Sequence, residues 1–176
     1  MLKNFEIYTI GHSNRSIEEF TRLLLKHSVE VLADVRRFPT SKYEHFKKDK
    51  LKKYLKNAGI EYVWFGGLGG YRKKIFENSP NIAIKSQGFR NYADYMLTEE
   101  FRKEIEKLIE IAKERRVALM CSEKFYWKCH RKFISDYLTF KGFRVIHIIN
   151  NGVKEHRLSK EARITEIGLI YDMRCD

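Results

Sequence analysis

At 176 residues, 43% hydrophobic and 14% aromatic, the chain is long enough to bury a sizeable core without staples and too apolar to be a disordered polymer. Its apolar runs stop well short of the roughly 18–20 residues that cross a bilayer, and the opening MLKNFEIYTIGHS lacks a secretion signal's apolar centre and cleavage site. The expectation is therefore a cytoplasmic protein with no membrane partner. Lys+Arg 35 against Asp+Glu 23 leaves +12, and residues 42–74 carry ten basic and three acidic side chains. That excess either attracts phosphate-bearing partners, nucleic acid first among them, or only solvates a helix face.

FEIYTI (5–10) is short, aromatic and β-branched and ends at Gly11, so it reads as a strand. Ser16 and Glu19 have capping-box spacing ahead of a helix with Phe20, Leu23, Leu24 and His27 on one face. EVLADV (30–35) is the second strand. Asp49 opens a helix that turns Leu51, Tyr54, Leu55 and Ala58 inward and Lys50, Lys52, Lys53 and Lys56 outward, ending at Gly59. EYVWF (61–65) is the third strand. Residues 66–88 show no period and read as a long loop or lid.

Helical pattern covers 89–114, broken near Thr98, which caps a second piece. RVALMC (116–121) is a fourth strand, 127–141 a helix with Phe133, Ile134, Tyr137 and Leu138 inward, and FRVIHII (143–149) a fifth strand. A polar loop and tail follow over 151–176, in which IGLIY (167–171) is a candidate C-terminal edge strand. Strands alternating with helices predict a single α/β domain, 1–176, with a mostly parallel five-stranded sheet and helices on both faces.

Right-handed crossovers put all strand carboxyl ends on one edge, where such sheets bind ligands. There the order of elements gathers Gly11–Arg15, Asp34, Arg36, Arg37, the glycines 66, 67, 69 and 70, Cys121-Ser122-Glu123, and His147 with Asn150. Polar loops are common in any such fold, but the convergence of titratable groups favours a site.

MCSEKFYWKCHR (120–131) is the densest stretch. Cys121, Cys129 and His130 lack structural-zinc spacing and a second ligand pair, so no metal is expected. The cysteines stand eight apart rather than in C-x-x-C, which permits a disulfide only if the loop folds back. Cys121 at a strand end before a helix is a candidate thiolate, although Glu123 nearby opposes ionisation. Cys129 and His130 fit helix-core positions equally well. Arg131, in a first turn where the helix dipole disfavours a cation, is expected to answer a carboxylate or a bound anion. Arg36 beside Asp34 is either an internal ion pair or an anion clamp. The glycine-rich run has neither Walker nor Rossmann spacing, and no cofactor is expected.

YTIGHSNRSIEEF, DVRRFPTSKYEHF, GIEYVWFGGLGG, YADYM, ALMCSE and KCHR, in this order over about residues 7–150, resemble the domain of unknown function 488 family of bacteria and archaea. The resemblance implies a single α/β domain and supplies no activity. Its signature positions here are His12, Ser13, Asp34, Arg36, Pro39, Cys121, Glu123, Cys129, His130 and Arg131; Cys121-Ser122-Glu123 departs mildly from the family's C-A-E.

The expectation that follows is a protein acting on or binding a phosphate-bearing ligand, a nucleotide or nucleic acid. Cys121, Glu123 and His12 are its candidate catalytic groups. Ser13, Asp34, Arg36, Gly69, Gly70, His130 and Arg131 are its candidate ligand-binding groups. The alternatives are a nucleic-acid-binding protein without chemistry, gripping through the 47–56 lysine face, and a small-anion or metabolite sensor.

Overall fold

Five strands, β1 (Glu6–Gly11), β2 (Val31–Asp34), β3 (Glu61–Trp64), β4 (Val117–Cys121) and β5 (Arg144–Ile149), run parallel in the computed structural model, which describes residues 4–174. A sixth, β6 (Gly152–Glu155), lies antiparallel along β5, in the order β3-β2-β4-β1-β5-β6. The strands alternate apolar side chains between faces. Tyr8, Ile10, Leu32, Ala118 and Met120 join one core with Phe20 and Leu24 of α1 (Ile17–Lys26) and Leu51 and Leu55 of α2 (Lys48–Asn57). Ile7, Val31, Ala33, Val117 and Leu119 join the other with Tyr92 of α3 (Gln87–Tyr95), Phe101 and Ile105 of α4 (Glu99–Glu114), and Phe133 and Leu138 of α5 (Arg131–Phe140). No helix among the described residues is long and apolar enough to cross a membrane.

The caps read from the sequence are made: Ser16 Oγ accepts from Glu19 N at 3.1 Å and Thr98 Oγ1 from Phe101 N at 3.3 Å. Four details differ. α2 begins at Lys48, one residue before Asp49, and Tyr54, expected inward, is exposed. The helix expected from 127 begins at Arg131, because 126–128 form a 3₁₀ turn and Cys129 is extended (φ −139°, ψ 155°). The main sheet's edge strand is β6. IGLIY instead supplies β8 (Gly168–Tyr171), which pairs with β7 (Ala162–Thr165) in a separate hairpin packed on α5 through Tyr171 and Phe133.

The start of the 66–88 segment, residues 66–72, is tied down. Arg72 donates to the carbonyls of Gly66, Gly67 and Gly69, and the Tyr92 and Tyr95 hydroxyls donate to those of Leu68 and Gly67, each at 2.6 Å. A Cβ on Gly69 would overlap the Arg37 backbone, so only glycine lets this segment lie on the loop leaving β2.

Candidate thiol site

β2 and β4 are neighbours, yet the segments leaving them depart to opposite faces of the sheet, toward α2 and α5. Such a divergence opens a crevice at the carboxyl edge. Here it is a cleft of about 700 Å³ lined by Cys121, Glu123, Cys129 and His130, by Phe38, Tyr71, Phe89 and Tyr92, and by Arg37 and Lys128.

Two contacts hold the β4 end in place. His12 N donates to Cys121 O at 2.9 Å and Ser13 N to Ser122 O at 3.0 Å. Gly11 permits them, since a Cβ there would run into the Glu123 carbonyl. The 3₁₀ turn at 126–128 then folds the chain back. The extended Cys129 delivers its Sγ 2.7 Å from that of Cys121, both thiols being free and buried. The loop thus meets the condition that the eight-residue spacing left open.

Arg131 is 1% exposed. Its Nε donates to Cys121 Sγ at 3.0 Å, its Nη1 to Thr9 Oγ1 at 3.2 Å, its Nη2 to the Glu123 carbonyl at 2.5 Å, and its main-chain N–H to Cys129 Sγ at 3.4 Å. None of these partners is a carboxylate, contrary to one sequence expectation, and none is a free position for a bound anion. The charge is answered by sulfur. Burial opposes ionisation of Cys129, but the hydrogen bond from Cys121 and the positive Arg131 outweigh it and hold the thiol down to about 7. Burial and the bond to Cys129 push the Cys121 thiol up. The two thiols titrate as a coupled pair, in which Cys129 is shifted down and Cys121 up.

His130 completes the group. Its Nε2 lies 2.7 Å from the Val35 carbonyl, an acceptor only, so Nε2 carries the proton. Nδ1 is therefore bare, and it lies 3.5 Å from Cys129 Sγ. Burial lowers the His130 pKa, which keeps the ring neutral and that lone pair available. A thiol, a base aimed at it and a carbonyl orienting the base are the parts of an activated nucleophile.

Of the remaining expected site residues, Arg36, Glu123 and Gly70 line the same cleft, while His12 turns away to the other face. Arg36 lines the cleft, but its donors are spent: Nε and Nη2 on the Asp34 carboxylate at 2.9 and 2.7 Å, Nη1 on the Thr40 and Phe46 carbonyls. With the Tyr62 hydroxyl also donating to Asp34, the pair is an internal brace for the β2 loop. His12 stacks on Phe46, ring centroids 4.1 Å apart, within the α1–α2 side of the core, and burial lowers its pKa to about 4. Its Nε2 is buried without a partner. Ser13 turns at φ 48° and donates to Asn14 Oδ1 at 3.4 Å. Glu123 lines the cleft and accepts from Phe125 N at 3.1 Å, bracing its own loop. Gly70 lies against the His130 ring, where a Cβ would come within 3.3 Å of Nδ1.

Behind Arg131 runs a buried chain absent from the sequence reading as a unit. Thr9 Oγ1 meets His147 Nδ1 at 2.6 Å, His147 Nε2 meets His156 Nδ1 at 2.9 Å, and His156 Nε2 meets Asp136 Oδ1 at 2.8 Å. Tyr126 stacks on His147 at 3.6 Å. The only sequence signal was a histidine inside the apolar run VIHII. Lys128 carried no signal beyond its charge. Among the described residues, no group of three or more His, Cys, Asp or Glu side chains is arranged to hold a metal ion.

A family model described as "Domain of unknown function DUF488" matches residues 16–138. No curated protein and no solved structure matches the chain.

Proposed function

Because the chain belongs to the domain of unknown function DUF488 family, whose description names no activity, its chemistry has to come from the cleft, and we propose a thiol-dependent enzyme acting on a phosphate-bearing ligand. One observation carries this reading: Cys129 Sγ stands between the bare Nδ1 of His130 and the donors of Arg131 and Cys121. Cys129 is the nucleophile. His130 takes its proton and returns it to the leaving group; the Arg131 main-chain N–H donates to the thiolate, and the positive guanidinium, bonded to Cys121, favours it. Attack forms a bond from Sγ to the electrophilic atom while the leaving group departs with its electron pair. Arg37 and Lys128 supply charge for the phosphate, and Phe38, Tyr71 and Phe89 offer flat surfaces for a nucleotide base.

Alkylation by iodoacetamide across pH, mapped by peptide mass spectrometry with and without a nucleoside monophosphate, tests it. The expected result is selective modification of Cys129 with a midpoint near 7, slowed by the nucleotide. Uniformly slow modification below pH 8, like that of an ordinary thiol, overturns the nucleophile. Binding without protection overturns the ligand assignment.

A second reading has its own observation. Lys50, Lys52, Lys53 and Lys56 are exposed on α2 beside the half-exposed Tyr54 and Trp64, and none of the four lysines is in an ion pair among the described residues. Such a surface suits nucleic-acid backbone. It lies on the other helical layer from Cys129 and is compatible with the first reading.

A further inference from the structure

We infer that Cys121 and Cys129 form a reversible dithiol–disulfide pair, oxidised by a hydroperoxide that enters the cleft. The inference rests on Cys129 being the nucleophile proposed above. It goes further in giving Cys121 a chemical role of its own, as the resolving thiol.

The geometry carries it. The sulfurs lie 2.7 Å apart, against about 2.0 Å in a disulfide bond, so joining them needs no rearrangement of the fold. The 3₁₀ turn and the extended Cys129 bring the start of α5 back against the end of β4 with no bond between the sulfurs. Both sulfurs line the cleft but are nearly enclosed, Cys121 at 2% and Cys129 at 6% exposure. A small oxidant reaches them and a protein disulfide does not.

The steps balance. Cys129 Sγ attacks the nearer peroxide oxygen, a sulfur–oxygen bond forms, the O–O bond breaks, and the leaving alkoxide takes the proton that His130 removed from the thiol. The products are a sulfenic acid on Cys129 and an alcohol. Cys121 Sγ then attacks Cys129 Sγ, and the hydroxide leaves with the Cys121 proton as water. Two thiols lose two hydrogens, and the peroxide accepts the two electrons. Contact between the sulfurs makes the second step faster than further oxidation of the sulfenic acid. The disulfide removes the thiolate beside Arg131 and leaves the buried cation with neutral partners, the Thr9 hydroxyl and the Glu123 carbonyl. The reduced form is therefore favoured, and ordinary monothiols suffice to restore it.

The test uses the full chain in a Cys175→Ser background, so that the third cysteine cannot exchange. It is treated with hydrogen peroxide and read by intact mass and non-reducing peptide mapping. The expected result is loss of two hydrogens, a single 121–129 crosslink, and reversal by a monothiol. Cys121→Ser should instead accumulate a dimedone-trappable sulfenic acid on Cys129, and Cys129→Ser should lose peroxide reactivity at least tenfold. Circular dichroism confirms that each variant is folded, and Cys121→Ala replaces a serine variant that is not. Wild-type protein that gains oxygen without forming the crosslink overturns the inference. If Cys129 still alkylates with its lowered midpoint, the nucleophile reading survives that failure; if it does not, both fall.

Discussion

Thr9 Oγ1 accepts a hydrogen bond from Arg131 Nη1 at 3.2 Å and stands 2.6 Å from His147 Nδ1, and this junction ties the guanidinium to a buried chain of side chains. A guanidinium only donates, so Thr9 accepts from Arg131 and keeps its hydrogen and one lone pair for His147 Nδ1. His147 Nε2 pairs with His156 Nδ1, and at the far end His156 Nε2 donates to the Asp136 carboxylate, an acceptor only. Burial, followed by the neighbouring His156, lowers the His147 pKa to about 2 and keeps that ring neutral. The cation at the cysteines and the carboxylate beneath the β7–β8 hairpin are thus joined through Thr9, His147 and His156.

Asp136 is the anchor of that chain. It also accepts from Ser159 N, Ser159 Oγ and the Tyr171 hydroxyl at 2.9, 2.7 and 2.9 Å. Asp136→Asn turns one accepting oxygen into a donor facing other donors and removes a buried charge. A loss of about 3–5 kcal/mol is expected, read from chemical denaturation. A loss below about 1 kcal/mol would show that the chain is not what holds the tail to α5.

Acid should weaken the fold through its buried histidines. His12 and His147 have pKa values lowered to about 4 and about 2, burial being the chief cause in both. The unfolded chain therefore binds protons that the folded one refuses. The stability gained from keeping them neutral is complete above about pH 6.5 and is lost as pH falls from there, down to about 4 for His12 and about 2 for His147. Thermal midpoints measured from pH 7 to pH 4 should fall steadily. His12→Phe, which keeps the stack on Phe46 and removes the unpaired Nε2, should flatten the part of that fall between about 6.5 and 4. An unchanged slope would mean that His12 protonates freely in the folded protein.

The parallel sheet was legible because its strands are short apolar runs ended by Gly11, Asp34 or Cys121, and because Ser16 and Thr98 mark helix starts in the residues themselves. What escaped depends on side-chain direction. His12 and Cys121 are sequence candidates of equal weight, yet His12 turns to Phe46 while Cys121 lines the cleft. Arg36 and Arg131 look alike as anion clamps. Only packing reveals that one is spent on Asp34 and the other on sulfur. The register of Cys129 was hidden because the helical pattern of 127–141 runs smoothly through a segment that is extended at one residue. β6 was missed because GVKE offers no buried face to alternate.

Arg131→Lys tests whether sulfur or shape matters at the buried cation. Lysine keeps the charge but has no fork to reach Cys121, Thr9 and the Glu123 carbonyl together. The Cys129 alkylation midpoint should move from about 7 toward the roughly 8.5 of a free thiol. A midpoint that stays put would assign the lowered value to Cys121 and the helix terminus instead.

Gly69→Ala should be among the more damaging small substitutions. Its Cβ would fall on the Arg37 backbone, which is neither flexible nor free to retreat, because Trp64 Nε1 donates to the Arg36 carbonyl at 2.8 Å beside it. Overpacking of this kind costs about 1–3 kcal/mol. The same shift would disturb the Arg37 and Tyr71 walls of the cleft. Loss of nucleotide protection in the alkylation assay should therefore accompany a lower denaturation midpoint. A variant with wild-type stability would mean that the two loops are less tightly apposed.

The α2 lysines offer the sharpest separation between the two functional readings. If Lys50 and Lys53 contact a nucleic-acid backbone, replacing both with glutamate should weaken binding to duplexes of any sequence. It should also flatten the dependence of affinity on salt by about one unit of logarithmic slope for each contact removed. Because these side chains lie on the helical layer opposite α5, the Cys129 alkylation profile should be untouched. Loss of nucleic-acid affinity with an unchanged thiol profile would establish two independent surfaces. An unchanged salt slope would reduce the lysines to a solvated helix face and leave the cleft as the functional part of the molecule.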